Sequence, residues 1–163
     1  MCVLACALPA KADPFRIQDL TILLRAQEVE NVTQAILFGQ PMVTGQIDRF
    51  GFNVGLRNCA RLGSEDLYCT VAAFKSCVVI VQDREREEFL ELTNKYNLSR
   101  RLGYLVLDAR NNLGGLLCVH TLSHFDDENA MAFDEIDLWK QTIDDFRAFL
   151  IDEEVTLVDP SQL

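Results

Sequence analysis

The chain has 163 residues, 49% of them hydrophobic, with 25 acidic against 15 basic side chains and a formal net charge of -10. That size suits one domain with one continuous core, and the charge argues against nucleic acid or an anionic lipid surface as partner, because Arg84 with Arg86 and Arg100 with Arg101 are too diluted to override it. No apolar run approaches the roughly 20 residues that span a bilayer.

Residues 1–12 are small and mostly apolar, and Ala10-Lys11-Ala12 ahead of Asp13-Pro14 has the small-x-small pattern of a signal-peptidase site. A charged n-region and a full apolar h-region are missing ahead of it. The segment therefore reads as the remnant of an export signal, with a disordered N-terminus as the alternative. Six cysteines is a high count for such a chain. Without the leader, Cys59, Cys69, Cys77 and Cys118 remain, and several pairings are open to them. Cys59 and Cys69 flank a polar, Gly-containing stretch, so a hairpin would let them bridge in an oxidising compartment. The alternative is four small buried thiols packing as hydrophobes.

In chain order, Asp13-Pro14 reads as a helix N-cap and first-turn proline, and Ile17, Leu20, Leu23 and Leu24 follow at helical spacing, predicting a helix that ends near Val29. Residues 32–38 are β-branched and apolar. After Gln40-Pro41, residues 42–47 alternate again before a turn at Asp48-Arg49. Phe50, Phe52, Val54 and Leu56 share one face of the next strand, with Gly51 and Gly55 on the other. Beyond a polar turn at 61–66, residues 67–74 form another strand, extending into 77–81. Asp83 opens a charged helix with Phe89, Leu92 and Tyr96 on one side and Glu87 and Glu91 on its surface. Residues 102–107 and 116–122 flank Asn111-Asn112 and Gly114-Gly115 as a hairpin. Ala132, Ile136, Trp139, Ile143, Phe146 and Leu150 then repeat at alternating spacings of four and three, the apolar stripe of a long helix, with Asp134, Asp137, Lys140, Asp144 and Asp145 largely outside it. The order α-β-β-β-β-α-β-β-α predicts an α+β fold, helices packed on an antiparallel sheet. Residues 13–151 make one domain and 152–163 a loose acidic tail.

Candidate chemistry is thin. His120 and His124 are four apart, followed by Asp126, Asp127 and Glu128, but two ligands at that spacing meet on a helix, whereas these straddle a strand end. Cys118 and His120 alternate on one strand face, a conceivable thiol and base. Neither an orienting group, a phosphate loop, a CxxC nor a nucleophile elbow accompanies them. The reading is no catalytic, cofactor or metal residues, with a small thiol- or metal-dependent enzyme built on Cys118, His120 and His124 as the rival. Asn31-Val32-Thr33 and Asn97-Leu98-Ser99 match the glycosylation acceptor pattern, which arises often by chance.

Three stretches carry a family likeness: Phe89-Leu90-Glu91-Leu92-Thr93-Asn94-Lys95-Tyr96-Asn97, Arg101-Leu102-Gly103-Tyr104-Leu105-Val106-Leu107-Asp108 and Trp139-Lys140-Gln141-Thr142-Ile143-Asp144-Asp145-Phe146. They resemble the helix end, strand and closing amphipathic helix of the bacterial YbjN family, described as sensory transduction regulators. The chain departs from that pattern at Gly103, Leu105 and the turn Asn111-Asn112-Leu113-Gly114-Gly115. The resemblance implies a fold like type III secretion chaperones and a non-enzymatic module that binds a protein partner or forms a homodimer. It fits export to the periplasm, with a cytoplasmic secretion chaperone as the alternative.

Overall fold

The computed structural model describes residues 15–61, 67–81, 85–99, 102–108, 115–124 and 133–158. The elements are β1 (Phe15–Arg16), α1 (Ile17–Ala26), β2 (Glu30–Leu37), β3 (Gln40–Ile47), β4 (Phe50–Arg61), β5 (Leu67–Ile80), α2 (Arg86–Ser99), β6 (Tyr104–Asp108), β7 (Gly115–His124) and α3 (Phe133–Asp152). The strands form one antiparallel sheet in the order β2-β3-β4-β5-β7-β6, and β1 adds a two-residue pairing to the start of β5. The α+β class and the order of helices and strands agree with the sequence pattern.

One apolar cluster holds the layers together. All three helices feed it, through Leu20 and Leu24, through Phe89, Leu92 and Tyr96, and through Ile136, Trp139, Ile143, Phe146, Phe149 and Leu150. From the sheet it takes Val43, Phe52, Val54, Leu56, Phe74, Leu105, Leu117 and Val119. The Trp139 ring lies between Phe52 and Phe74, with centroids 5.8 and 5.3 Å away. Tyr96 meets Phe149 edge-on at 5.0 Å, fastening α2 to α3. Aromatic groups of this size dominate core energetics, and truncating one typically costs about 3 to 5 kcal/mol.

Three local readings are corrected. First, α1 begins at Ile17, with Arg16 rather than Asp13 at the N-cap position. Arg16 is drawn into the sheet opposite Tyr68, and its backbone N–H donates to Asp19 Oδ2 at 3.1 Å. Asp13 and Pro14 lie outside the described residues. Second, α1 stops at Ala26, because Glu28 takes a left-handed φ of 59°. Val29 N–H then donates to Leu24 C=O and Glu28 N–H to Arg25 C=O, a Schellman closure.

Third, the end of the chain is not a loose tail as far as Val158. Glu154 (φ 51°) closes α3 in the same way, with Val155 N–H on Leu150 C=O. The chain reverses, Val155 packs against the core, and Leu157 bridges antiparallel to Ile80. Val81 N–H donates to Thr156 C=O and Val158 N–H to Val79 C=O, both at 2.9 Å. Residues 1–12, Asp83, Ala132 and the turn 109–114 lie outside the described residues.

Glu135, half-buried in the first turn of α3, carries a charge that works against folding. Burial raises its carboxyl from an ordinary 4.5 to about 7, and its Oε2 has no hydrogen-bond partner. A carboxyl that holds its proton more tightly when folded contributes nothing below the unfolded value and destabilises progressively as pH rises from about 4.5 to 7. Glu135→Gln should therefore raise the melting temperature at pH 8 and leave it nearly unchanged at pH 4, as thermal denaturation followed by circular dichroism would show.

Candidate functional site

Because the described helices share one cluster, they cover one side of the sheet, and strand alternation sends every second residue to the other, where Val71 and Cys118 are nonetheless buried. The register aligns those outward residues into rows across the strands. One row runs Thr33, Thr44, Asn53, Lys75, His120, Tyr104. The next runs Ala35, Met42, Gly55, Ala73, Leu122, and a third Arg57, Val71, His124. None of these three rows contains an aspartate or glutamate. Tyr104 is 50% exposed, Leu122 49% and Val106 39%, so apolar surface remains in water on this face.

Lys75 and His120 stand opposite each other, and the His120 ring stacks on Tyr104, centroids 5.2 Å apart and planes 12° from parallel. Desolvation, then Lys75 and Arg57, hold the imidazole below its ordinary 6.5, so it is neutral at pH 7. Neither Lys75 nor Arg57 has an acidic side chain within ion-pair distance among the described residues. Both histidines of the chain lie on this face.

Four cysteines form two pairs at disulfide distance, and each pair is a direct cross-strand partnership. Cys59 on β4 faces Cys69 on β5 with Cα atoms 4.0 Å apart, and Cys77 on β5 faces Cys118 on β7 at 4.1 Å. Asn58, with φ 52°, interrupts the alternation just before Cys59, which packs against the core beside Cys69. Cys118 is buried but outside the core cluster, so the second pair lies in the open face. Both pairs include β5, which they tie to β4 on one side and β7 on the other.

This arrangement bears on the candidate chemistry. Cys118 faces Cys77 rather than standing as a free thiol beside His120. His120 and His124 both belong to β7, and four residues of extended chain separate them by about 13 Å, too far to share an ion. No group of three or more potential metal ligands occurs among the described residues. Asp126, Asp127 and Glu128 lie outside them.

The two edges of the sheet differ. On β6, Leu105 N–H donates to Asn97 Oδ1 at 2.6 Å and Asn97 Nδ2 donates back to Leu105 C=O at 3.0 Å. The Asn97 amide thus occupies the edge as a neighbouring strand would, the physical reason for an asparagine at this helix end. On β2, a bulge lies between Glu30 and Thr33, with Asn31 at φ 53°, but the remainder is regular. From Val32 to the Phe38-Gly39 turn no residue is charged, and the tip exposes Ile36 at 77% and Phe38 at 97%. Uncharged edges of this kind are prone to strand addition.

Compared with known proteins, the chain matches no family model and no curated protein. Among the described residues no helix is long and apolar enough to cross a membrane. Sequence reasoning missed the Cys77 and Cys118 partnership and the convergence of Arg57, Lys75 and Tyr104 on His120. The alternation of Cys118, His120, Leu122 and His124 was its only local sign.

Two outcomes follow. Protein purified without reductant should be about two mass units lighter per bridge than after reduction, with the thiols of residues 59, 69, 77 and 118 unreactive to iodoacetamide until reduced. Replacing Cys77 and Cys118 together by serine should cost about 4 kcal/mol in denaturant unfolding, against about 3 for Cys59 with Cys69, since the first pair closes the longer loop. Separately, Asn97→Ala should lose about 1 to 3 kcal/mol, because the Leu105 backbone loses both partners.

Proposed function

We propose that the chain is a non-enzymatic protein-binding module of the YbjN type, with the helix and strand arrangement of a type III secretion chaperone, working in the oxidising periplasm. The observation that carries this reading is the uncovered sheet face. A six-stranded sheet with the described helices on one side exposes Tyr104, Val106 and Leu122 beside polar groups, the mixed character of a recognition surface. The two cysteine pairs point to an oxidising compartment, which favours export over a cytoplasmic secretion chaperone. Pairing of Cys118 with Cys77 leaves the thiol-enzyme alternative without its nucleophile.

A second reading, self-association, is favoured by the uncharged β2 edge. The two-residue turn at Phe38-Gly39 makes Leu37 and Gln40 a hydrogen-bonded pair, so the Gln34 and Ile36 amides point outward, opposite Val43 and Pro41. An extended segment or a second β2 can add there.

The test is a photo-crosslinking amino acid placed at Ala73 on the open face or at Glu91 on the exposed side of α2, followed by irradiation in the native host. The expected result is a discrete polypeptide adduct from position 73 and none from 91. No adduct at 73, or the same adducts from both positions, would overturn the assignment of the sheet face as the binding surface.

A further inference from the structure

Gly55 and Ala73 lie side by side in the middle row of the open face, one row from Arg57 and His124 and one row from Lys75 and His120. A glycine inside a strand weakens it, and its usual justifications are a positive φ or a crowded neighbour. Neither holds for Gly55. Its φ is outside the left-handed region, and a Cβ built there would meet nothing within 4 Å. The small floor is open to solvent, and basic or ionisable groups stand on two sides of it.

We infer that this floor binds an extended acidic segment of a protein partner, with two carboxylates four residues apart and an apolar side chain midway between them. The inference rests on the protein-binding reading above and names the chemistry of the partner.

The argument is one of charge complementarity and spacing. Arg57 and Lys75 have no acidic partner among the described residues, although the chain as a whole carries -10. The rows of Arg57 with His124 and of Lys75 with His120 are four residues apart along the strands, about 13 Å at the rise of an extended chain. A segment lying along the strands presents side chains on one face at every second residue, so acids at its first and fifth positions reach the two rows. The third residue then lies over Gly55 and Ala73, between Met42 and Leu122, where a leucine-sized group finds the space a larger floor residue would fill. A nucleic acid or anionic membrane fits less well, since four groups within about 13 Å would have to overcome the repulsion of the remaining acids.

His120 adds a dependence on acidity. Tyr104 on β6 stacks on it, Lys75 on β5 stands opposite it, Arg57 on β4 adds a second positive charge, and His124 lies two rows further along its own strand. The imidazole is neutral at pH 7, and acidification or an approaching carboxylate favours its charged form.

The experiment titrates the full-length, air-oxidised protein with an acetylated, fluorescein-labelled peptide having glutamates at positions one and five, leucine at three and threonines between, in low salt. Saturable binding is expected, at least about fivefold weaker when the glutamates are replaced by glutamines, and stronger at pH 5.5 than at pH 7.5. Lys75→Glu should weaken it by about tenfold or more. Gly55→Val should do the same while keeping or raising the melting temperature, because a Cβ there meets nothing within 4 Å and valine favours a strand.

Equal affinity for the glutamine peptide, an unchanged affinity of the Gly55→Val protein, or no saturation by about 1 mM would overturn the inference. If the acidic peptide fails while the crosslinker at Ala73 still captures a polypeptide, only the partner chemistry is wrong. If a single-stranded oligonucleotide or phosphatidylglycerol vesicles bind in place of the peptide and lose binding in Lys75→Glu, the protein-binding reading falls with it.

Discussion

The stripe of α3 has to be buried, and the sheet is the surface that buries it. Trp139 between Phe52 and Phe74, and Phe146 against Phe50 and Tyr96, decide which side of each strand faces inward. Because strand alternation has a period of two, a slip of one residue in any strand would put its apolar set in water. One helix–sheet contact therefore sets the inner face and, by exclusion, the outer one. Lys75, His120, Arg57 and the Cys77 pair are outside because Phe74, Val119, Leu56 and Ser76 are inside.

The second constraint is β5. At 14 residues it is the longest strand, pairing with β4 and β7 along its flanks, with β1 at its start and with Leu157 near its end. The two cysteine pairs tie this strand to its neighbours at both ends. A sheet stapled in this way resists shear between the strands that carry the open face. The edges are handled separately. Asn97 closes β6 with a side-chain amide, whereas β2 is broken only at its start.

Most of the architecture was legible as periodicity. The period of two through Phe52, Val54 and Leu56, and the four-and-three spacing of Ile136, Trp139, Ile143 and Phe146, each identify an element and its buried side without reference to the rest of the chain. Helix ends were less legible because the left-handed residues that close α1 and α3 are Glu28 and Glu154, where glycine is the ordinary signal. The return of Leu157 to Ile80 was hidden for the same reason. Asp13-Pro14 resembled a start signal, but pairing of residues 15–16 with β5 outweighed it. Cys59 and Cys69 were readable because a hairpin joins them. Cys77 and Cys118 were not, since their meeting depends on how β7 inserts beside β5 after the crossover through α2. The basic cluster has the same origin: Arg57, Lys75 and His120 are distant in sequence and become neighbours only through two strand registers.

Charge segregation follows from the layering. Exposed acids of the helical layer, among them Glu87, Glu91, Asp134, Asp137 and Asp144, point away from the sheet, while the middle rows of the opposite face carry only basic or neutral groups. The apolar layer between them keeps the two sets apart, so Arg57 and Lys75 are not neutralised by the acids that dominate the composition. Burial first, and then the positive charges of Lys75 and Arg57, depress the affinity of His120 for its proton. A net charge of -10 therefore describes the molecule at a distance, whereas the middle rows of the sheet face carry Arg57, Lys75 and no acidic residue. With the strength of each term falling over a Debye length, the charges of the sheet face and those of the acidic helical layer act locally and separately.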